Sequence, residues 1–414
     1  MRRGLSGMRQ GLCGDRVALI SGRSENNDGA ATAGAYIEEV CNGSERKLRP
    51  MIILSILFLA QSELPPVVAS GEQIKSPKQP QIAVDAKGRV HVAFGDGNRI
   101  FYLHSESVAP LRFAVPVLVA ETPNLALGMR RGPRVAVSGR AIVVTAISGA
   151  KGRGRDENLL AWRSTDDGKT WDGPVTVNDT AGAAREGLHA TVSMPEGGFV
   201  CAWIDLRTKL ADVRVSTSAD GVKWTPNVVA YQSPSGRVCE CCQPSLAVAD
   251  NRNIHLLWRN SLDGLRDMYM AASSDGGATF GPATKLGHGS WTLNACPMDG
   301  GGIAVRNGKA SSAWRRERIV YGTFDGDPKE VRLGEGEQPC IAATNAGAVV
   351  AWLKRRPGPL MLKAGNKEAA VIADDASDPV LVSTPDFKRA VVAWEGKRNG
   401  RPTIEARTVE GDLP

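Results

Sequence analysis

The sequence predicts an all-β protein, a seven-bladed β-propeller of four-stranded antiparallel blades, with a six-bladed ring as the alternative. Three observations lead there. The segment Ser164-Thr165-Asp166-Asp167-Gly168-Lys169-Thr170-Trp171 recurs as Ser273-Ser274-Asp275-Gly276-Gly277-Ala278-Thr279-Phe280, and a worn copy between them ends Asp220-Gly221-Val222-Lys223-Trp224. These copies lie about 55 residues apart, a period typical of a four-stranded blade. A second pattern, an apolar strand followed by a turn and an apolar run that closes on an aromatic in six cases, recurs in seven units. Helical periodicity is almost absent after residue 75, while short apolar runs bounded by Gly, Asn and Asp continue to the end.

The units run from Gln81 to Phe94, Arg134 to Ala146, His189 to Trp203, Ser245 to Trp258, Gly302 to Trp314, Cys340 to Trp352 and Val380 to Trp394. Between their halves sit Asp85-Ala86-Lys87-Gly88, Gly197-Gly198, Asp250-Asn251, Asn307-Gly308 and Asn345-Ala346-Gly347, which are hairpin turns by composition. A short segment from one end is expected to close the ring and protect its strand edges. In the eight-residue copies the Ser and Asp side chains can bond backbone donors of a tight turn. Gly takes a positive φ, and the aromatic wedges between blades. Ser164, Asp166, Gly168 and Trp171, with Ser273, Asp275, Gly277 and Phe280, are therefore structural candidates.

The amino end reads differently. Residues 1–45 are rich in Gly, Ser and charge without a period, and are expected to be a non-native or disordered extension. Residues 46–70 have the pattern of a secretory signal: Arg46, Lys47 and Arg49, an apolar run from Ile52 to Ala60, and small residues at Val68-Ala69-Ser70. The run is short for a transmembrane helix. Met51 then reads as the true start rather than Met1, with the mature chain beginning near Gly71 and a propeller over 71–414. The expected location is periplasmic or secreted, with membrane contact only through an uncleaved signal.

The chain carries 51 Lys and Arg against 44 Asp and Glu, a net charge of +7 without any basic run. That argues against nucleic acid and suits an anionic carbohydrate or a protein partner, bound by a monomer. Cations recur after the strand-closing aromatics: Arg99, Arg155, Arg207, Arg259, Arg315, Arg316, Lys354 and Arg355, with Asp205 and Glu395 at matching places. Because Arg forks bind carboxylate or sulfate bidentately, Arg99, Arg207, Arg259 and Arg315 are the ligand-binding candidates.

In an exported chain, an even number of cysteines favours disulfides. Cys239, Cys241 and Cys242 fall in the connection into the fourth unit and Cys296 in the connection into the fifth, so the four are expected to be neighbours. They read either as disulfides or as a Cu or Zn site with His288 or His189 nearby. No other cofactor is expected.

The first eight-residue segment matches the Asp box, Ser-x-Asp-x-Gly-x-Thr-Trp, and the chain resembles the sialidase (BNR-repeat) superfamily. The resemblance implies a propeller, usually six-bladed, with Asp boxes on the face opposite the active site. It also implies three arginines on a sialic acid carboxylate, an Asp acid/base and a Tyr nucleophile paired with a Glu. Here those roles would fall to Arg207, Arg259 and Arg315, with Asp205 as the acid and Tyr321 as the nucleophile. The family's Arg-Ile-Pro element is absent, and Asn98-Arg99-Ile100-Phe101 is the nearest stretch. The expected function is an exported propeller binding an anionic glycan or partner. An exo-α-sialidase-like glycoside hydrolase and a periplasmic Cu or Zn binding protein are the alternatives.

Overall fold

The computed structural model describes residues 66–69, 73–208, 210–234 and 237–411. The described residues all belong to one compact unit, Leu64–Pro414. The expected extension and most of the expected signal lie outside the described residues. All regular structure among the described residues is β, in six sheets.

Four of the sheets are meanders laid down in chain order, and the fourth and sixth each carry one additional strand. The first holds Lys78–Val84, Val90–Asp96, Arg99–His104 and Val117–Glu121. The second holds Arg134–Ser138, Ala141–Ser148, Asn158–Ser164 and Asp172–Thr176. The third runs from His189–Ser193 through Phe199–Asp205 and Asp212–Ser218 to Val228–Tyr231. In the fourth, Arg237–Val238 and Ser245–Val248 both pair with Ile254–Ser261, followed by Met268–Ser273 and Thr284–Lys285. The fifth holds Gly302–Arg306, Lys309–Arg316, Ile319–Thr323 and Val331–Glu335.

The sixth sheet has seven strands: Glu337–Thr344, Gly347–Leu353, Gly358–Ala364, Ala370–Ser383, Arg389–Arg398, Arg401–Glu410 and, at its far edge, Val67–Ala69. Its long strand serves twice. Ala370 to Ala376 pair back onto Gly358–Ala364, and Ser377 to Ser383 pair forward onto Arg389–Arg398. It is thus the last strand of one four-strand set and the first of the next. Counted by hydrogen-bonded sheets the ring has six members. Counted by leading strands, Lys78–Val84, Arg134–Ser138, His189–Ser193, Ser245–Val248, Gly302–Arg306, Glu337–Thr344 and the later half of Ala370–Ser383 touch in a closed cycle of seven.

The repeat register explains the aromatics. Gln81 faces Ala93, Ser245 faces Leu257, Gly302 faces Ala313, Cys340 faces Ala351 and Val380 faces Ala393. Phe94, Trp258, Trp314, Trp352 and Trp394 therefore occupy one position of the repeat, and all are buried. Apolar clusters join each set to its neighbour, as where Val213 and Val215 meet Leu256 and Trp258. Burying large apolar side chains between sheets, at about 1.5–3 kcal/mol each, is the main stabilising contribution to such a ring.

Both Asp boxes form as the motif dictates. Ser164 Oγ donates to Asp166 Oδ1 at 2.8 Å and accepts from Gly168 N at 2.9 Å, while Thr170 Oγ1 donates to Asp166 Oδ2 at 2.7 Å. Ser273, Asp275, Gly277 and Thr279 repeat these bonds, and the Thr279 bonds hold the Asp275 carboxyl down to about 2. A Cβ at Gly168 (φ 82°) would fall 2.1 Å from the Tyr102 ring of the preceding sheet, so only glycine fits. Trp171 lies edge-on to Tyr102 at 5.2 Å, half-buried rather than fully enclosed. Phe280 packs between the third and fourth sheets.

The ring is closed by Val67–Ala69, antiparallel to Arg401–Glu410. Val68 is buried with Val90, Phe94, Ile404 and Ala406. The cleavage expected to start the mature chain near Gly71 would remove this strand.

Candidate functional site

Because strands alternate in direction, two kinds of connection open at the same end: those after each second strand, and those into each leading strand. The Asp-box turns lie at the other end. Among the sequence-flagged cations on this loop face, most are already committed. Arg99 donates to Asp96 at 2.6 Å and to the Gln73 carbonyl at 2.7 Å, clamping the segment that leads into the first sheet. Arg155 donates to the carbonyls of Gly152 and Lys151. Arg207 binds Asp205, Asp179 and Asn227.

Arg259 is not a surface cation. It is 1 % exposed, and its guanidinium donates to the carbonyls of Asp299 (3.0 Å), Arg266 (2.6 Å) and Arg315 (2.8 Å). Trp291, from the long connection into the fifth sheet, lies against it at 5.2 Å, and Arg315 lies against the same ring at 5.4 Å. Arg259 and Arg315 thus meet, while Arg207 stays with its own sheet. Arg315 donates to Glu337 at 3.0 Å and stands 3.7 Å from Asp299. Arg316 forms a fork onto Glu330 and covers the Tyr321 ring at 4.0 Å.

The two residues expected to be catalytic are not brought together. Asp205 is fully buried and accepts from Trp203 Nε1 at 2.8 Å and from Arg207 Nε and Nη2 at 2.8 and 2.9 Å. Those donors fill the lone pairs an acid/base would use. Tyr321 stacks on Trp314 in the fifth sheet, two sheets away.

Where the leading strands begin, the structure assembles a polar cluster that the charge pattern did not reveal. Arg130 reaches across to the Pro379 carbonyl at 2.8 Å and the Pro339 carbonyl at 3.4 Å, leaving Nε without a partner. Arg134 beneath it is fully enclosed. Burial, with the Arg130 charge, pulls its guanidinium down to about 9. Gln338 bridges two carboxylates, donating from N to Asp299 (2.8 Å) and from Nε2 to Asp378 (3.1 Å). Glu395 accepts from Gln79 N and Nε2. Burial, and then the Asp378 charge, pushes the Glu395 carboxyl up. Burial does the same to Asp299, against the pull of Arg130, Arg315 and Arg259. The signal available in sequence was the recurrent dipeptide at these points, Gln79-Pro80, Gln243-Pro244, Gln338-Pro339 and Asp378-Pro379.

Three of the four cysteines converge. Cys239 Sγ stands 3.6 Å from Cys241 Sγ and 3.5 Å from Cys242 Sγ, all three buried. A disulfide requires about 2.05 Å, so these thiols are unbonded here. Cys296 is exposed and outside the group, and neither His189 nor His288 joins it. His189 is enclosed against Thr145.

Lys354 and Arg355 differ from the other cations. Both are exposed, and neither side chain has a hydrogen-bond or ion partner among the described residues. They border a cleft of about 420 Å3 whose lining includes Leu333, Glu335, Trp352 and Met361.

A model of the BNR repeat-like domain matches residues 130–320, from the start of the second sheet into the fifth and including both Asp boxes. The matched stretch is similar to the BNR repeat-like domain, and the chain folds as a β-propeller. One similar solved structure supports the fold, and two more are similar at lower scores. A GH93 α-L-arabinofuranosidase of Fusarium graminearum, solved with arabinobiose, is 10 % identical with a TM-score of 0.51, over 84 % of this chain and 97 % of that one. An α-L-arabinanase of Penicillium chrysogenum is 14 % identical over 84 % of this chain and 98 % of that one, at 0.49. A leech intramolecular trans-sialidase is 12 % identical over 84 % and 70 %, also at 0.49. No curated protein matches the chain in sequence. At such identities the likeness is one of architecture, and function must be argued from the site.

Proposed function

We propose that this sialidase-type propeller is an exported, monomeric protein that binds an anionic carbohydrate on its loop face and leaves it intact. The observation that carries this reading is the cleft beside Lys354 and Arg355, two exposed cations whose side chains have no partner among the described residues. Its volume of about 420 Å3 lies within the range of small-ligand sites. Leu333 and Met361 offer apolar surface to a sugar ring, and the cations offer charge to a carboxylate or sulfate. Glu335 is the one carboxylate in the lining, whereas glycoside hydrolysis generally uses two flanking the scissile bond. The engagement of Asp205 and Tyr321 in separate sheets supports the same choice.

The test is equilibrium binding of acidic and neutral oligosaccharides to wild type and to the Lys354→Ala, Arg355→Ala double variant. The acidic ligand should bind preferentially, and the variant should lose about tenfold at low salt, the effect of roughly 0.7 kcal/mol from each exposed cation. The loss should shrink as salt screens the charges. Equal binding by both proteins, or release of reducing sugar, would overturn the proposal.

A further inference from the structure

We infer that Cys239, Cys241 and Cys242 form a binding site for one Cu(I) ion. The geometry points there first. A metal shell with a sulfur distance of about 2.3 Å places its donors about 3.8 Å apart if tetrahedral and about 4.0 Å apart if trigonal. The sulfurs stand 3.5 and 3.6 Å apart, and all three lie within 4.8 Å of one another, so a slight opening admits an ion.

Donor chemistry selects the metal. No His, Asp or Glu joins the three thiols among the described residues, so a closed four-coordinate zinc site lacks its fourth conventional ligand. Met298, at a positive φ of 53°, packs against the sulfurs and brings a thioether. Thiolates and a thioether in an apolar enclosure suit a soft monovalent cation.

Backbone and side-chain hydrogen bonds hold the surrounding loops together. Cys239 N donates to the Arg259 carbonyl at 2.9 Å, and Gln243 Oε1 accepts from Gly300 N at 2.9 Å, tying together the loops that carry the cysteines and Met298. On binding, each ligating thiol gives its proton to solvent and becomes a thiolate.

The experiment titrates Cu(I) into the reduced protein under anaerobic conditions against a chromophoric Cu(I) chelator. One equivalent should be withheld from the chelator by wild type and by Cys296→Ser. Cys241→Ser should lose at least tenfold in affinity, and Met298→Leu should weaken binding less. Sulfur scatterers alone should surround the metal in X-ray absorption of loaded wild type, a readout that does not depend on any variant folding. A wild-type stoichiometry of zero, equal retention by Cys241→Ser, or a nitrogen- or oxygen-rich shell would overturn the site. So would an isolated protein whose mass is lower by two hydrogens because these cysteines form a disulfide.

Discussion

Replacing Arg259 by alanine tests the buried arrangement around which the loop face is built. The side chain is 1 % exposed and donates three hydrogen bonds to carbonyls of separate segments, at 2.6, 2.8 and 3.0 Å. Each charge-assisted bond contributes about 1.5–3 kcal/mol, and the three carbonyls would lose their donor. Against that, the folded state no longer has to desolvate a guanidinium. The net loss should be about 3–5 kcal/mol, as for other buried charges whose partners are stranded. Arg259→Lys should recover only part, since one ammonium cannot replace a planar fork aimed at three places. Urea unfolding followed by tryptophan fluorescence gives the midpoints. A loss under about 0.5 kcal/mol, the scale of an ordinary surface substitution, would show that Arg259 is an exposed cation and that this packing is wrong.

Trp171→Ala should cost about 2 kcal/mol, less than a fully enclosed tryptophan, because the ring is half-buried against Tyr102; equal denaturant midpoints would contradict this. Trimming the chain after Ser70 should lower thermal stability relative to a chain beginning at Leu64, since it removes Val67–Ala69 and the buried Val68; unchanged melting would show that the strand does not close the ring. Glu395 has its carboxyl raised by burial and by Asp378, with Arg356 and Gln79 opposing. The neutral form is therefore favoured on folding, and its stabilising contribution is lost as pH rises through the raised value. Glu395→Gln should accordingly gain on wild type in urea midpoint as pH climbs from 4 towards 8, and parallel profiles would argue against a strained carboxylate.

The fold was legible because its signals repeat. Seven hairpin units share one register, so Trp258, Trp314, Trp352 and Trp394 could be aligned before any contact was known. The Asp boxes added turn chemistry that depends on only a few residues. The site was less legible because repeat position does not decide exposure. Arg259 and Lys354 both lie just beyond a strand-closing tryptophan, yet one is enclosed and the other exposed. The difference comes from the long connection that lays Trp291 over Arg259, whose path no local pattern reports. Cys296 shows the same limit: it lies two residues before Met298, which packs on the sulfur cluster, yet Cys296 itself is exposed. The polar cluster of Arg130, Gln338 and Asp378 is assembled from single residues in different repeats, so its only trace was a dipeptide ending in proline.

The most direct test of the binding account is a crystal structure of the protein soaked with an acidic oligosaccharide. The account expects an intact ligand in the cleft bordered by Lys354 and Arg355, with its anionic group against those two side chains. A cleaved product, or a ligand seated instead at Asp378 and Glu395 with the cleft empty, would contradict it.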